Sequence, residues 1–159
     1  MEKEKQIDIL LQTIDRYWNQ AIQNENQRAN FTNYILLIIG ALQGYVIQRR
    51  FDRFSIVLAV IIIVLGIFGV LIVAKYYERF NHQASRVGRL MEKIKELEPN
   101  INLDELESIA SLKHNAKFPL LSKIRLNKLW LVFYCFFILL GIFNLFLIII
   151  NWEKIQLNI

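Results

Sequence analysis

The amino-acid sequence predicts an all-α integral membrane protein with three transmembrane helices and a cytoplasmic helical hairpin. Hydrophobic residues make up 55% of its 159 residues and the mean hydropathy is +0.32, which is too apolar for an ordinary soluble domain. Three stretches without a charged residue, 31–48, 54–74 and 129–151, come close to the roughly 20 apolar residues that a spanning helix needs.

The first thirty residues predict an amphipathic cytoplasmic helix. Apolar side chains recur there at steps of three and four residues, the period of a helix with one apolar face: Ile7, Leu10, Leu11, Ile14, Trp18, Ala21 and Ile22. The segment that follows is rich in Asn and Gln, holds Arg28, and lacks Pro and Gly. We therefore expect one helix to continue from this region into the first span.

A transmembrane hairpin is predicted over 31–74, with spans 31–48 and 54–74 joined by "QRRFDR". The first span contains Gln43 together with Gly40 and Gly44. Glycines four residues apart let another helix approach closely, and an amide at membrane depth needs a partner or water. Two interpretations of Gln43 stay open, a hydrogen bond between helices and an amide facing a pore. We assign the first span, as the one with a central amide and close-packing glycines, to the inner wall of a pore lined by Gln43, Gly40 and Gly44.

The cytoplasmic segment 75–128 begins as a continuation of the second span. At about 100° of rotation per residue, six basic residues fall on one face of this helix. The first is Lys75, and the other five are called here the basic stripe: Arg79, His82, Arg86, Arg89 and Lys93. Nearly opposite is an apolar stripe, called here the seam, which predicts packing against another helix: Tyr77, Phe80, Ala84, Val87, Met91 and Ile94.

The rest of this segment predicts the second arm of a helical hairpin. The long helix should end at Pro99, and Asn102 with Glu105 forms a capping-box pattern that starts a short helix reaching about Lys113. Residues 117–128 alternate apolar and basic side chains, as an interfacial segment does. The third span, 129–151, and a short tail, 152–159, complete the chain.

The distribution of Lys and Arg predicts the orientation. Of the 19 Lys and Arg residues, 15 lie in 1–30 and 75–128 and four lie on the other side of the membrane. The positive-inside rule therefore places the N-terminus in the cytoplasm. Three arginines in the hairpin lie on the side that this rule assigns to the exterior: Arg49, Arg50 and Arg53. Either they extend to lipid head groups, or the first segment does not fully span.

No motif in the sequence supports catalysis, a cofactor or a metal site. There is no Gly-rich phosphate loop, no nucleophile with a base, and no His or Cys spacing that holds a metal. The single cysteine, Cys135, lies in the third span, and the spans contain no carboxylate, the group that coupled transporters use. We expect neither an enzyme nor an ion-coupled transporter, and no cofactor.

Three interpretations of the basic stripe stay open. Anionic lipid head groups, worth about 1 kcal/mol for each Lys or Arg, explain the basic residues nearest the membrane better than Lys93, which lies about 27 Å farther along the helix than Lys75. Acidic residues of a neighbouring subunit are the second candidate. A polyphosphate or oligonucleotide is the third, bound by charge and by stacking on Tyr76, Tyr77 or Phe80.

Residues 1–98 resemble the small multi-pass transmembrane effectors of bacterial anti-phage nucleotide-signalling systems. The resemblance lies in "DRYWNQAIQNENQRANFTNY", the hairpin around "QRRFDR", and "HQASRVGRLMEKIKELE". SLATT-type modules of this class have two spans, so the third span favours the multi-pass effector of Hailong systems. The resemblance implies a homo-oligomer of the bacterial inner membrane, a tetramer in the Hailong type, that causes abortive infection. It also implies control by a nucleotide or short DNA oligomer, the product of a cognate nucleotidyltransferase.

We therefore predict an oligomeric inner-membrane effector that forms a gated pore or channel, controlled by an anionic nucleotide or DNA oligonucleotide ligand. The predicted ligand-binding residues are the basic stripe and Arg28. The alternative is a non-conducting, membrane-anchored scaffold or adaptor that recruits a partner through the seam of its cytoplasmic helix.

Overall fold

The computed structural model describes residues 2–100 and 102–157, and the regular elements within them are all helical. Four α-helices follow one another: α1 (Glu2–Gln48), α2 (Ile56–Leu97), α3 (Leu103–Lys117) and α4 (Leu126–Leu157). Two short 3-10 turns, Arg53–Ser55 and Leu121–Lys123, precede α2 and α4. Helices α1, α2 and α4 are long and apolar enough to cross a membrane, which confirms the all-α class and the three candidate spans.

Helix α1 joins the predicted N-terminal helix and the first span without a break. Its 47 residues contain no proline, and its first glycine is Gly40, so the amide-rich region holds no residue type that stops a helix. The predicted continuation into the span is confirmed. The boundary expected near residue 30 is a change of composition within one helix.

The turn between α1 and α2 is left-handed and is built from residues other than glycine. The N–H groups of Arg50 and Phe51 donate to carbonyls in the last turn of α1 at 2.9 and 3.2 Å, the two bonds of a Schellman cap. Arg50 (φ 55°) and Phe51 (φ 58°) both occupy the left-handed region, where glycine is usual. Asp52 then caps the 3-10 turn by accepting from the Ser55 N–H at 3.0 Å.

Helix α2 continues the second span well past residue 74, as predicted, and ends at Leu97. Pro99 accounts for this end, because a following proline disfavours the helical conformation of the residue before it. Helix α3 starts where expected and extends about one turn beyond its predicted end. The predicted capping box is wrong, because the Asn102 side chain makes no cap bond and donates instead to the Glu105 carboxylate at 2.7 Å.

Helix α4 begins at Leu126, slightly before the predicted start of the third span, and extends to Leu157. The predicted tail 152–159 is therefore helical as far as residue 157, and its last two residues lie outside the described residues. The predicted interfacial segment before α4 exposes its apolar side chains, as that position would require: Phe118, Leu120, Leu121 and Ile124. Its location at a membrane surface stays a prediction.

The chain divides into two compact units, and both α1 and α2 contribute to each of them. The apolar unit consists of Gln27–Lys75 and Asn127–Ile159. The polar unit consists of Met1–Asn26 and Tyr76–Leu126. The predicted spans fall in the apolar unit, and the basic stripe and the seam fall in the polar unit.

In the apolar unit, α1 and α4 run parallel in a constant register. Three polar contacts join them at a sequence separation of 101 or 102, and a fourth joins α4 to the turn after α1. We call this set the polar ladder: Arg28–Trp130, Thr32–Tyr134, Gln43–Asn144 and, from the turn, Arg50–Asn151. A hydrophobic core lies between the helices, formed by Ile35, Ile39, Ile62, Val73, Tyr134 and Phe137. The ladder therefore fixes which residues of α1 and α4 face each other.

Close packing in the apolar unit is provided by glycines of α2 and α4. A Cβ atom added at Gly66 would lie 2.7 Å from the Ile138 side chain, and one added at Gly141 would lie 2.5 Å from Ile63. A Cβ at Gly69 would overlap the fully buried ring of Tyr134. These three glycines allow α2 and α4 to approach closely.

In the polar unit, the N-terminal part of α1 and the C-terminal part of α2 lie antiparallel. Lys3 pairs with Glu98 at 3.0 Å, and the Arg86 guanidinium lies 5.2 Å from the centre of the Tyr17 ring. Helix α3 has no buried residue. It is joined to α2 through Lys95, whose ammonium contacts Asp104 at 2.6 Å and Glu107 at 3.4 Å.

Candidate functional site

The basic stripe lies on the outer face of α2 in the polar unit. All five of its side chains are exposed: Arg79, His82, Arg86, Arg89 and Lys93. Because one unbroken helix carries them, their spacing is set by the rise of about 1.5 Å per residue, and Arg79 and Lys93 lie roughly 21 Å apart along the axis. The structure therefore brings the five predicted residues onto one accessible face.

The five residues differ in whether they already contact other side chains of the same chain. Lys93 forms an ion pair with Glu96 at 2.6 Å, and Arg86 lies over the Tyr17 ring. Among the described residues, no ion pair involves Arg79, His82 or Arg89. Exposed cations without a carboxylate partner are the groups that an external anion can bind without first breaking an internal contact.

The seam on the opposite side of α2 is covered. Ile94 is buried at 7% exposure, and the other members are partly buried: Tyr77, Phe80, Ala84, Val87 and Met91. This burial agrees with the predicted packing of the seam, and the identity of the helix that packs against it stays a prediction. This arrangement turns the basic stripe outward.

The acidic residues at the start of α3 have partners other than the basic stripe. Asp104 and Glu107 both contact Lys95, and the hydrogen bond that the Lys95 ammonium donates to Asp104 is the main cause that raises the pKa of that lysine. Glu105 accepts from the Asn102 amide. The acidic cluster therefore neutralises Lys95 within the chain and is not paired with the basic stripe there.

Arg28, the sixth predicted ligand residue, belongs to the apolar unit. It is buried at 4% exposure, and its guanidinium lies 5.6 Å from the centre of the Trp130 ring. Its backbone carbonyl accepts from the Thr32 hydroxyl at 2.9 Å, and this hydroxyl accepts from Tyr134 at 3.0 Å. The structure thus groups Arg28 with the polar ladder, and its part in ligand binding stays a prediction.

Gln43 forms a reciprocal amide pair within the apolar unit. The Asn144 Nδ2 donates to the Gln43 Oε1 at 2.6 Å, and the Gln43 Nε2 donates to the Asn144 Oδ1 at 3.3 Å. The sequence left two interpretations of Gln43 open, a hydrogen bond between helices and an amide facing a pore. In the single chain, Gln43 forms the hydrogen bond between helices. Asn144 was missed as its partner, although a second amide in another span was a usable signal, since polar groups in spans seek each other.

Gly40 and Gly44 face open space, with no other side chain or distant backbone within 4 Å of a Cβ added at either position. The expectation that α1 alone carries a central amide and close-packing glycines is wrong for the single chain, because Asn144 is a second amide and the packed glycines lie on α2 and α4. Assignment of Gly40, Gly44 and Gln43 to a pore lining stays a prediction about an assembly.

The described residues contain no group of His, Cys, Asp and Glu side chains that could hold a metal ion. Cys135 is exposed on α4 and unpaired. The shallow pocket lined by Glu92, Lys95, Glu96 and Asp104 holds groups of both charges, and three of these groups already form ion pairs. The basic stripe is therefore the candidate site that the geometry favours.

Comparison with protein-family models, with curated proteins and with solved structures finds no match to this chain. The resemblance to membrane effectors of anti-phage systems therefore rests on the quoted sequence segments and the order of the elements. Its functional implications enter below as proposals.

Proposed function

We propose that this chain is a membrane protein that binds a polyanionic nucleotide or oligonucleotide on the basic stripe and uses it to control a pore. The observation that carries the proposal is the continuity of α2, which holds the exposed basic stripe and a candidate span in one helix from Ile56 to Leu97. A ligand bound to Arg79 or Arg89 would contact the same helix that contains the candidate span. Such a connection is what a gate requires.

The shape of the basic stripe favours a linear anion over a single phosphate. Its cations are distributed over about four turns of helix, a length that matches several phosphates in a row. Phosphate binding by Lys and Arg supplies affinity without sequence preference, and the partly buried Tyr76, at the flank of the basic stripe on α2, offers a ring for stacking.

The pore itself would form between copies of the chain. Gly40 and Gly44 present an open strip on α1 that a second helix can approach closely. Binding can gate such a pore only if the ligand has different affinities for the open and closed assemblies. By resemblance, the output is damage to the bacterial inner membrane in abortive infection, and a nucleotidyltransferase supplies the ligand.

The first test uses the full chain purified in detergent as isolated from cells. We expect a raised ratio of absorbance at 260 to 280 nm, and bound nucleotide at a fixed ratio to protein that is released by high salt. The double variant Arg79→Ala/Arg89→Ala should lose most of this nucleotide and reduce the slope of log affinity against log salt by roughly 1.4, about 0.7 for each single-strand phosphate contact. Lys113→Ala/Lys117→Ala, which removes the same charge from α3, is the matched control.

Conductance across planar bilayers is the second measurement, and it separates a gate from an anchor. We expect the Arg79→Ala/Arg89→Ala protein to conduct differently from wild type with its oligomeric state unchanged. Purified protein that carries phospholipid but no nucleotide, together with conductance that ignores both arginines, would reject the proposal. The alternative, a scaffold that recruits a partner through the seam, has less support because the chain itself buries Ile94 and partly buries the other seam residues.

A further inference from the structure

We propose that the hairpin end of the apolar unit is a binding site for the phosphate of an anionic phospholipid, formed by Arg50 and Arg53. The site lies at the opposite end of α2 from the basic stripe, where the chain passes from α1 to α2. The proposal depends on the membrane location given under the proposed function. It depends neither on a pore nor on a nucleotide ligand.

Aromatic rings lie beside two of the three arginines at this end, Arg49 and Arg53. The Arg53 guanidinium lies 5.2 Å from the Phe54 ring centre and 5.7 Å from that of Trp152. Arg49 lies 5.7 Å from the Tyr45 ring centre and 5.8 Å from that of Phe54. Stacking on a ring uses the face of a guanidinium and leaves N–H donors at its edge, which suit phosphate oxygens.

The three rings are themselves exposed, with 49% of Tyr45, 65% of Phe54 and 41% of Trp152 accessible. They come from the end of α1, the start of the 3-10 turn region and the end of α4, so three separate segments place an aromatic residue at one level. Aromatic residues gather at the level of the lipid head groups in membrane proteins. This position brings the arginines to the phosphates of the lipids.

The local charge is unbalanced in favour of the arginines. Asp52 is the one carboxylate of the turn, and it accepts from the Ser55 N–H and hydroxyl at 3.0 and 2.7 Å and contacts Arg49 at 3.1 Å. Arg50 and Arg53 are exposed and enter no ion pair among the described residues.

The backbone of Arg50 is held in place although its conformation disfavours an arginine. Its φ of 55° lies in the left-handed region, which glycine or asparagine adopts at lower cost. Its carbonyl accepts from the Asn151 Nδ2 at 3.0 Å, so α4 anchors the turn. A charged side chain at a position that suits glycine is explained by a partner outside the chain.

Anionic phospholipid is the partner that fits both the rings and the charge. Exposed aromatic residues at the end of three candidate spans are placed for a bilayer rather than for a soluble anion. Lipid binding also explains why three arginines lie on the side that the overall Lys and Arg count marks as external. They are held at that surface by head groups, so they need not reverse the topology.

The test measures lipid retention by the full chain in nanodiscs of phosphatidylglycerol and phosphatidylcholine, followed by native mass spectrometry. The variant is Arg50→Asn/Arg53→Gln, because asparagine tolerates the left-handed conformation. The matched control, Arg79→Gln/Arg89→Gln, removes the same charge from the basic stripe. From the usual effect of a basic residue near an anionic surface, we expect the preference for phosphatidylglycerol to fall roughly fivefold for each hairpin arginine and about 30-fold for both.

Each outcome decides the proposal. Unchanged preference in the hairpin variant, or a loss confined to the stripe variant, overturns it. Displacement of the retained phosphatidylglycerol by millimolar inorganic phosphate would assign the site to a free anion and overturn the lipid assignment. The hairpin variant should still carry any co-purifying nucleotide, whereas loss of every lipid class from wild type would mean that the membrane location itself is wrong.

Discussion

The two units of this chain use their polar side chains in opposite ways. In the apolar unit, two pairs of polar side chains bond to each other between helices, Gln43 with Asn144 and Thr32 with Tyr134. In the polar unit, Arg79 and Arg89 are exposed and enter no ion pair among the described residues. The proposed membrane location accounts for this difference, because a polar group surrounded by lipid must find a partner in the protein, while a cation in water can remain available for a ligand.

The largest expected effect concerns packing in the apolar unit. Gly69→Ala places a methyl group in the space of the buried Tyr134 ring, and overpacking of this kind costs about 1–3 kcal/mol or more. Gly40→Ala is the matched control, since nothing lies within 4 Å of its added Cβ. Unfolding in mixed detergent and SDS micelles measures both free energies. Equal stability of the two variants would contradict the packing of α2 against α4.

Substitutions at Gln43 and Asn144 test whether the hydrogen bonds between these two amides stabilise the apolar unit. Gln43→Leu or Asn144→Leu alone leaves one amide without its partner, while the double variant removes both. We expect a coupling free energy of about 0.6–1.7 kcal/mol in a double-mutant cycle, the range found for hydrogen bonds between membrane helices. Additive losses would mean that the pair contributes nothing. A Gln43→Leu protein of unchanged stability but altered conductance would favour the pore-facing interpretation.

The left-handed turn should become more stable when its residue type matches its conformation. Arg50→Gly removes the steric cost of a side chain at φ 55°, so the free energy of unfolding should rise by about 1 kcal/mol. Gln48→Gly, at the last residue of α1, should lower it by roughly 0.5–1 kcal/mol. Both values come from the same micelle unfolding assay. A loss of stability in Arg50→Gly would mean that the arginine itself holds the turn.

The smallest effect concerns α3, which has no buried residue and is joined to α2 by ion pairs of Lys95. Lys95→Met should release α3 from α2, and a spin label at Ser111 should then become more mobile. Lys93→Met is the control and should leave the label unchanged, because Lys93 pairs with Glu96 within α2. The hydrogen bond to Asp104 raises the pKa of Lys95 above 10.5. The contact is therefore complete below that pH and is lost as pH rises through the raised pKa. A label equally rigid in both variants would show that other contacts hold α3.

Much of the fold could be predicted from the sequence because its signals are local. Apolar runs define the spans, the period of three to four residues separates the seam from the basic stripe, and Pro99 ends α2. The missed features depend on contacts distant in sequence. The pairing of Gln43 with Asn144 and the close packing at Gly69 require the register of α1, α2 and α4, which no local pattern contains.

The candidate site shows the same division. Exposure of all five stripe residues followed from their spacing on one helix. The attachment of Arg86 to Tyr17 and the burial of Arg28 against Trp130 did not, because each depends on a residue more than fifty positions away. The left-handed Arg50 was equally hidden, since glycine is the residue that normally marks such a turn.

The polar ladder also imposes an order on the making of the protein. Gln43 leaves the ribosome 101 residues before Asn144, which at about 5–20 residues per second corresponds to roughly 5–20 s of translation. During that interval the Gln43 amide has no Asn144 to bond, so α1 reaches its final place only once α4 has been synthesised. In a Cys135→Ser background, a nascent chain truncated before residue 144 should therefore leave a cysteine placed at Val46 accessible to water-soluble thiol reagents. The full chain, in which Val46 is fully buried, should protect it.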